Sequence, residues 1–340
     1  MPEEAVTAKP TPAAEAAAQP AEAGRAWRLR RESLSTSMRD GGIVVVLIVL
    51  FVVLAITTTD TFLTRSNLED VVDSAAPIGL MAVAGTLVVI AGGFDLSAGA
   101  VFTVGAVVGA EICNRTDPVV GIAAGLCAGL VLGVVNGVLC TYGRVNHFVA
   151  TLATSIVFAG VATLIVGGSV ILINDASFAN LATTEILGIN SSTYIFVIFA
   201  LACAFLLNRA VFGRQMFATG GNLQAARLAG ISIPRIQIVC YAISGGAAAL
   251  AGMIVSGRSL SVGGNAGDGL IFEVLAAILI GGVSVGGGRG AIWRPVVGVL
   301  ILQLISNGFN LNGIDPLYQQ ITSGLIIVGA VIVDVWTRRK

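Results

Sequence analysis

The chain has 340 residues, of which 56% are hydrophobic and only 11% charged, whereas a soluble domain carries about 25% charged residues. Nineteen basic and nineteen acidic residues leave no formal net charge, so bulk charge gives no support to a nucleic-acid partner. Water is therefore not the main solvent, and the composition predicts an all-α, polytopic transmembrane helix bundle.

Residues 1–40 are rich in Ala, Pro and Glu and end in a basic stretch with Arg25, Arg28, Arg30 and Arg31. This composition predicts a disordered tail on the cytoplasmic side, with residues 41–340 forming the transmembrane domain. The tail is too long and too acidic at its start for a signal-peptide n-region, so the first apolar run is read as a retained helix. A bilayer core takes about 20 apolar residues per helix. Apolar runs of that kind predict about ten spans, near 42–58, 71–91, 98–113, 119–141, 148–172, 191–210, 235–257, 269–285, 291–308 and 319–336. The second and third are nearly continuous, which leaves open a single broken or re-entrant helix across 92–97.

Lys and Arg are retained on the cytoplasmic side of a membrane protein. With both termini inside, the cytoplasmic segments hold the tail arginines, Arg144, Arg209, Arg214, Arg227, Arg235, Arg289, Arg294 and the terminal Arg338, Arg339 and Lys340. Only Arg65, Arg115 and Arg258 then face outward. The fourth span carries Gly121, Gly125, Gly129, Gly133 and Gly137. Glycine at every fourth residue is a ridge of small-xxx-small packing, suited to close helix approach and equally to sliding. Five scattered cysteines show no C-x-x-C spacing and read as small packing residues.

A P-loop needs Gly-Lys-Ser/Thr, and the only lysines are Lys9, before Pro10, and Lys340. Any ATP must therefore be hydrolysed by a partner, and the chain itself is expected to bind no cofactor. Gly282-Val283-Ser284-Val285-Gly286 matches G-x-S-x-G, but it follows an apolar span and the sole histidine, His147, lies at another loop, so hydrolase context is missing. His147 alone makes no metal site.

Acidic residues in apolar surroundings are costly unless they face a cavity or a partner. Asp95 and Glu273 stand out, followed by Glu111 and Asp73. Asp95 lies in Gly92-Gly93-Phe94-Asp95-Leu96-Ser97, a glycine-flanked break where a helix can unwind. It can cap the following helix, line a cavity, or do both. The segment Gly92–Gly99 is echoed by Gly281–Gly288, which suggests an internal repeat in the transport core.

Between the sixth and seventh spans runs Gly213-Arg214-Gln215-Met216-Phe217-Ala218-Thr219-Gly220-Gly221-Asn222-Leu223-Gln224-Ala225-Ala226-Arg227-Leu228-Ala229-Gly230. This segment, within 211–234, resembles the coupling loop of ATP-binding cassette (ABC) importer permeases. Their E-A-A-x-x-x-G pattern forms a short helix docked into the ATPase subunit. Gln224 stands in place of the glutamate, while Ala225, Ala226 and Gly230 keep their places. Small alanines leave a flat surface able to enter a groove, and Gly230 is placed to end the helix.

Together with Gly93-Phe94-Asp95-Leu96-Ser97, Gly143-Arg144-Val145 and Gly281-Gly282-Val283-Ser284, the chain from about residue 60 is similar to the ribose-type permeases of monosaccharide ABC importers. The resemblance implies an inner-membrane permease importing a sugar-like solute, with ATP-Mg on a partner ATPase. It also implies a second permease copy and a periplasmic or lipid-anchored solute-binding protein. Gly93, Asp95, Ser97, Asn136, Glu273, Ser284, Asn307 and Asn310, with Asn312, are the residues expected along the pathway or its gate. Two other readings stand beside it. An ion-coupled secondary transporter would use Asp95 or Glu273 as its proton site, and an intramembrane serine hydrolase would use Ser284.

Overall fold

The computed structural model describes residues 41–284 and 286–315, together with 317–318, 321–322, 324–325 and 328–329. The expected tail over 1–40 lies outside the described residues, as does most of the tenth span.

In chain order the helices begin with α1 (Gly41–Thr57), α2 (Thr59–Phe62), α3 (Arg65–Ile90), α4 (Ala98–Arg115), α5 (Pro118–Thr141) and α6 (His147–Val166). Strand β1 (Val170–Leu172), a 3-10 turn (Ala176–Ala179), α7 (Asn180–Thr183), β2 (Glu185–Ile186) and β3 (Ile189–Asn190) follow. Then come α8 (Ser191–Arg209), α9 (Val211–Gly221), α10 (Leu223–Leu228), α11 (Ile233–Ser259), β4 (Ser261–Gly263), α12 (Leu270–Ile280) and α13 (Trp293–Leu311). Every expected span on described residues coincides with a helix.

Among the described residues, five helices are long and apolar enough to cross a membrane: α3, α5, α6, α8 and α11. They divide into two kinds. In the most apolar stretch of α3 and α11, 83% and 67% of residues are buried, against 22–33% in α5, α6 and α8. The first pair is therefore the centre of the bundle. The other three turn apolar residues outward, such as Ile156, Leu164, Leu201 and Phe205, as helices bathed in lipid do.

The glycine ridge of α5 explains how the centre closes. Gly121, Gly125, Gly129, Gly133 and Gly137 are all buried, facing α4 and α11. A methyl group at Gly121 would stand 2.6 Å from the Gly109 carbonyl oxygen, and one at Gly137 2.7 Å from Ile238 Cα. Backbone thus meets backbone, and the contact leaves no room for a side chain. Of the five cysteines, Cys113, Cys140, Cys203 and Cys240 are buried, whereas Cys127 is exposed.

Two expected spans are shorter than read. The span expected over 148–172 ends at Val166, because Gly167 and Gly168 take positive φ. Val170–Leu172 then pairs antiparallel with β4, Val170 opposite Gly263 and Leu172 opposite Ser261. Hydropathy cannot separate a β-branched strand from the helix it follows. The span expected over 269–285 is an 11-residue helix, about 16 Å long and too short for a hydrocarbon core of about 30 Å.

That short helix and α3 end alike. Gly92 (φ 82°) and Gly282 (φ 72°) both occupy the left-handed position after the helix. Gly92 N–H donates to Val89 O and Gly93 N–H to Val88 O; Gly282 N–H donates to Leu279 O and Val283 N–H to Ile278 O. Both are Schellman ends. The echo seen in sequence is therefore geometric, but one residue out of the expected register: Gly92 matches Gly282 rather than Gly281.

Candidate functional site

The break between α3 and α4, residues 91–97, is irregular backbone inside the bundle. Such backbone is tolerated only where other groups satisfy its N–H and C=O. Two helices supply such groups, and a third holds a side chain of the break. Thr151 Oγ1 of α6 accepts from Leu96 N–H at 3.1 Å. The Tyr241 hydroxyl of α11 donates to Phe94 O at 2.8 Å. On α5, Asn136 Nδ2 donates to Ser97 Oγ at 2.6 Å.

Asp95 sits at the middle of this set, 8% exposed. Its Oδ1 accepts from Ser97 N–H (3.0 Å) and Ser97 Oγ–H (2.6 Å), and its Oδ2 from Ser244 Oγ–H of α11 (2.7 Å). Asp95 is not the N-cap of α4, a position held by Ser97 without a side-chain capping bond. It instead ties the break to α11. Asn136 is fully buried, and its Oδ1 has no hydrogen-bond donor among the described residues, an uncommon cost at a buried acceptor.

The Tyr241 hydroxyl has one proton, which goes to Phe94 O. His147 Nδ1, 2.9 Å away, is therefore assigned as the N–H that donates to Tyr241, leaving Nε2 to accept from the Gln237 amide at 3.5 Å. Both ring nitrogens of His147 are thus engaged. No Ser284–His147 pair exists, and the hydrolase constellation is not assembled.

His147 and Gln237 also form the floor of a cleft of about 770 Å³ between the α5–α6 connection and the segment 223–237. One wall of this cleft is α10. Asn222 Oδ1 caps α10 by accepting from Ala225 N–H at 3.0 Å. A third Schellman end closes it, with Gly230 (φ 78°) donating to Arg227 O and Ile231 N–H to Ala226 O at 3.1 Å. Six residues make too short a helix to persist in water on propensity alone; the two caps hold it.

The expected flat alanine face is only half present. Ala225 is exposed with Gln224 and Arg227, but Ala226 is 3% exposed and packs inward, tethering α10 to the bundle. The most prominent apolar group on α10 is Leu228, 90% exposed, which sequence reasoning passed over. A leucine directly after Arg227 and two residues before the expected helix stop at Gly230 was the available signal.

α9 carries α10 to the breaks. Gly213 is buried in the first turn of α9, against the carbonyls of Leu206 and Leu207 at the end of α8, with Arg214 exposed beside it, and at the other end Gly220 and Gly221 press on both irregular segments. A methyl group at Gly220 would meet Ile90 O and lie 2.6 Å from Gly288 N, and one at Gly288 would be 2.5 Å from Gly221 Cα. Gly288 N–H itself donates to Ile90 O at 2.9 Å. The ends of α3, α9 and the turn after α12 therefore converge with no side chain between them. Gly220 was not among the expected site residues, though the Gly220-Gly221 pair within an otherwise helical run pointed to close backbone approach.

The remaining expected residues lie apart. Glu273 is exposed in the first turn of α12, and Asn310 is exposed near the end of α13. Ser284 stands in the turn after α12, its carbonyl accepting from Gly287 N–H. Asn307 exchanges two hydrogen bonds with Asn67, at 3.2 and 2.6 Å, joining α13 to α3. Asn312 Nδ2 donates to Gly308 O at 2.7 Å. Asp73 is ion-paired with Arg258 at 2.9 Å and accepts from Ser192 and Asn190; Glu111 pairs with Arg115.

A helix bundle with membrane-length apolar helices, two glycine-ended helix breaks and a buried polar cluster at one of them is that of a polytopic membrane protein. The chain belongs to the family of branched-chain amino acid transport system permease components, whose family model matches residues 67–331. It is a membrane permease component, not an enzyme.

Among individual proteins, it is 38% identical to the ribose import permease protein of Bacillus subtilis over 277 residues, 81% of this chain and 86% of that protein. It is 34% identical to the ribose import permease protein of Escherichia coli over 317 residues, 91% and 95% of the two chains. With the L-arabinose transport system permease protein of Escherichia coli it shares 36% over 294 residues, 86% and 89%. No solved structure matches.

Proposed function

We propose that this chain is the translocating subunit of an ABC importer for a pentose-like monosaccharide, driven by ATP-Mg hydrolysis on separate ATPase subunits. Similarity to ribose and arabinose permeases over most of the chain supports the solute class. The α10 end of the bundle is cytoplasmic, as are both termini, following the arginine distribution; residues 41–340 are the permease domain. A second permease copy completes the pathway, and a binding protein outside delivers the solute.

The observation that carries the mechanism is the meeting of Gly220–Gly221 with Ile90 and Gly287–Gly288. The ATPase grips α10 through Leu228 and its neighbours Gln224, Ala225 and Arg227. Because α9 and α10 are joined at Asn222 alone, displacement of α10 is delivered to Gly220. Backbone contact there leaves no compliant side chain to absorb it. The displacement shifts the ends of α3 and α12, and with them the Asp95–Ser97–Asn136–Ser244 cluster, changing access from one side to the other. Asn136 Oδ1, which has no donor in this state, is an acceptor that the rearranged state can satisfy.

Uptake of labelled ribose and arabinose into vesicles containing the chain and its ATPase tests this reading. Uptake is expected to need ATP and to persist when an ionophore collapses the proton gradient. Uptake that collapses with the gradient while ATP is present would establish instead an ion-coupled transporter, with Asp95 or Glu273 as its proton site.

A further inference from the structure

We propose that the cleft between α10 and the α5–α6 connection binds a phosphate group, carried by a soluble phosphate monoester or by a phospholipid headgroup. Its volume of about 770 Å³ falls within the range of small-molecule sites, about 300–1,000 Å³. Arg144 enters it from the α5–α6 connection and Arg227 from α10, and no Asp or Glu lines it. Among the described residues neither arginine has a carboxylate within 4.0 Å. Thr141, Asn146, Ser232 and Gln237 add neutral hydrogen-bonding groups to the same walls. Two unpaired guanidinium groups beside neutral donors, in a concavity without competing acid, is the chemistry that recognises phosphate.

The backbone gives an independent reason. Arg144 has φ 54°, the left-handed region that an L-residue occupies only at a cost and that glycine occupies freely. Glycine would therefore suit the backbone better than arginine does, and the strained turn is occupied instead by a side chain that lines the cleft. A phosphate held by both arginines bridges α10 to α5 and α6, so its occupancy restrains the element that the proposed function sets in motion. A phosphorylated sugar accumulating inside the cell would in this way slow further import. Phosphate binding itself rests on no assumption about the transported solute or the ATPase.

The test uses the full chain purified in dodecyl maltoside, a detergent without phosphate, in a phosphate-free buffer. Ribose 5-phosphate and inorganic phosphate are titrated by calorimetry, first without lipid and then with added phosphatidylglycerol. Saturable binding is expected, weakened about tenfold or more by Arg144→Gly and by Arg227→Gln, as loss of a charged hydrogen-bonding partner requires. Arg209→Gln, outside the cleft, is expected to bind as the unsubstituted chain does. Arg144→Gly relieves the left-handed backbone, so its thermal midpoint is expected at or above the unsubstituted value, which separates lost binding from lost fold. Competition by phosphatidylglycerol, with less lipid retained by Arg144→Gly, assigns the lipid headgroup as occupant; binding indifferent to lipid assigns the soluble ester. No binding of either, or binding unaltered in both cleft variants, overturns the proposal. Because no ATPase takes part, that failure is distinct from failure of α10 docking.

Discussion

The two ends of the bundle treat their charges in opposite ways. At the end that carries the β1–β4 pair, Asp73, Arg258, Ser192 and Asn190 form a partly buried cluster, while Asn114 clamps the chain after β1 through Leu172 O and Asn174 N–H. Arg65, Arg115 and Arg258, the three arginines placed on that side by sequence, each have a carboxylate within 2.9 Å. At the α10 end, Arg144, Arg209, Arg214, Arg227, Arg235 and Arg289 have no such partner among the described residues. The first end is stapled to itself. The second keeps its cations, a cleft and the Leu228 side chain available to something else.

Breaking the stapled end is expected to have the largest effect on stability. Asp73→Ala leaves the Arg258 guanidinium, 25% exposed, without its counter-ion. Removing one partner of a fully buried pair costs about 3–5 kcal/mol, and the residual exposure brings the expected loss to about 2–3 kcal/mol, read from unfolding in detergent. Next comes Gly220→Ala at the contact of α9 with the two breaks. Overpacking there is expected to cost about 1–3 kcal/mol, and in reconstituted vesicles to leave ATP hydrolysis running without uptake.

Tyr241→Phe removes the hydroxyl that joins Phe94 O to His147. A stability loss of about 1 kcal/mol is expected, with faster amide exchange across 91–97 as the sharper readout. Leu228→Glu touches no packed group, so stability is expected to change by less than about 0.5 kcal/mol, yet ATPase binding is lost. Smallest of all, Glu69→Gln breaks an exposed helical pair with Arg65, and no change in unfolding is expected; a measurable loss would show that the stapled end depends on its surface pairs as well.

Much of this contrast was legible in the sequence. Apolar runs located nine helices because burial in lipid demands long uninterrupted hydrophobic segments, and the arginine asymmetry separated the two ends before any contact was known. The glycine ridge of α5 and the Schellman end at Gly230 also followed from residue type alone. Partnering did not. Nothing local distinguishes Asn307, which pairs with Asn67 two hundred and forty residues away, from Asn136, which joins the Asp95 cluster. Helix period could not show that Ala226 faces inward and Leu228 outward, since a six-residue helix presents less than two turns. The half-length of α12 was hidden because the apolar run continues past the glycine pair that stops it.

The claim most open to direct test is that a separate motor holds this chain at α10. Affinity purification of the tagged chain from its own membrane, as the unsubstituted protein and as Leu228→Glu, measures it. The account predicts that an ATPase subunit with a Walker motif co-elutes with the first and is lost from the second, while both unfold at the same temperature. Equal recovery of the ATPase with both proteins, or transport of ribose by the chain alone in sealed vesicles, would contradict it.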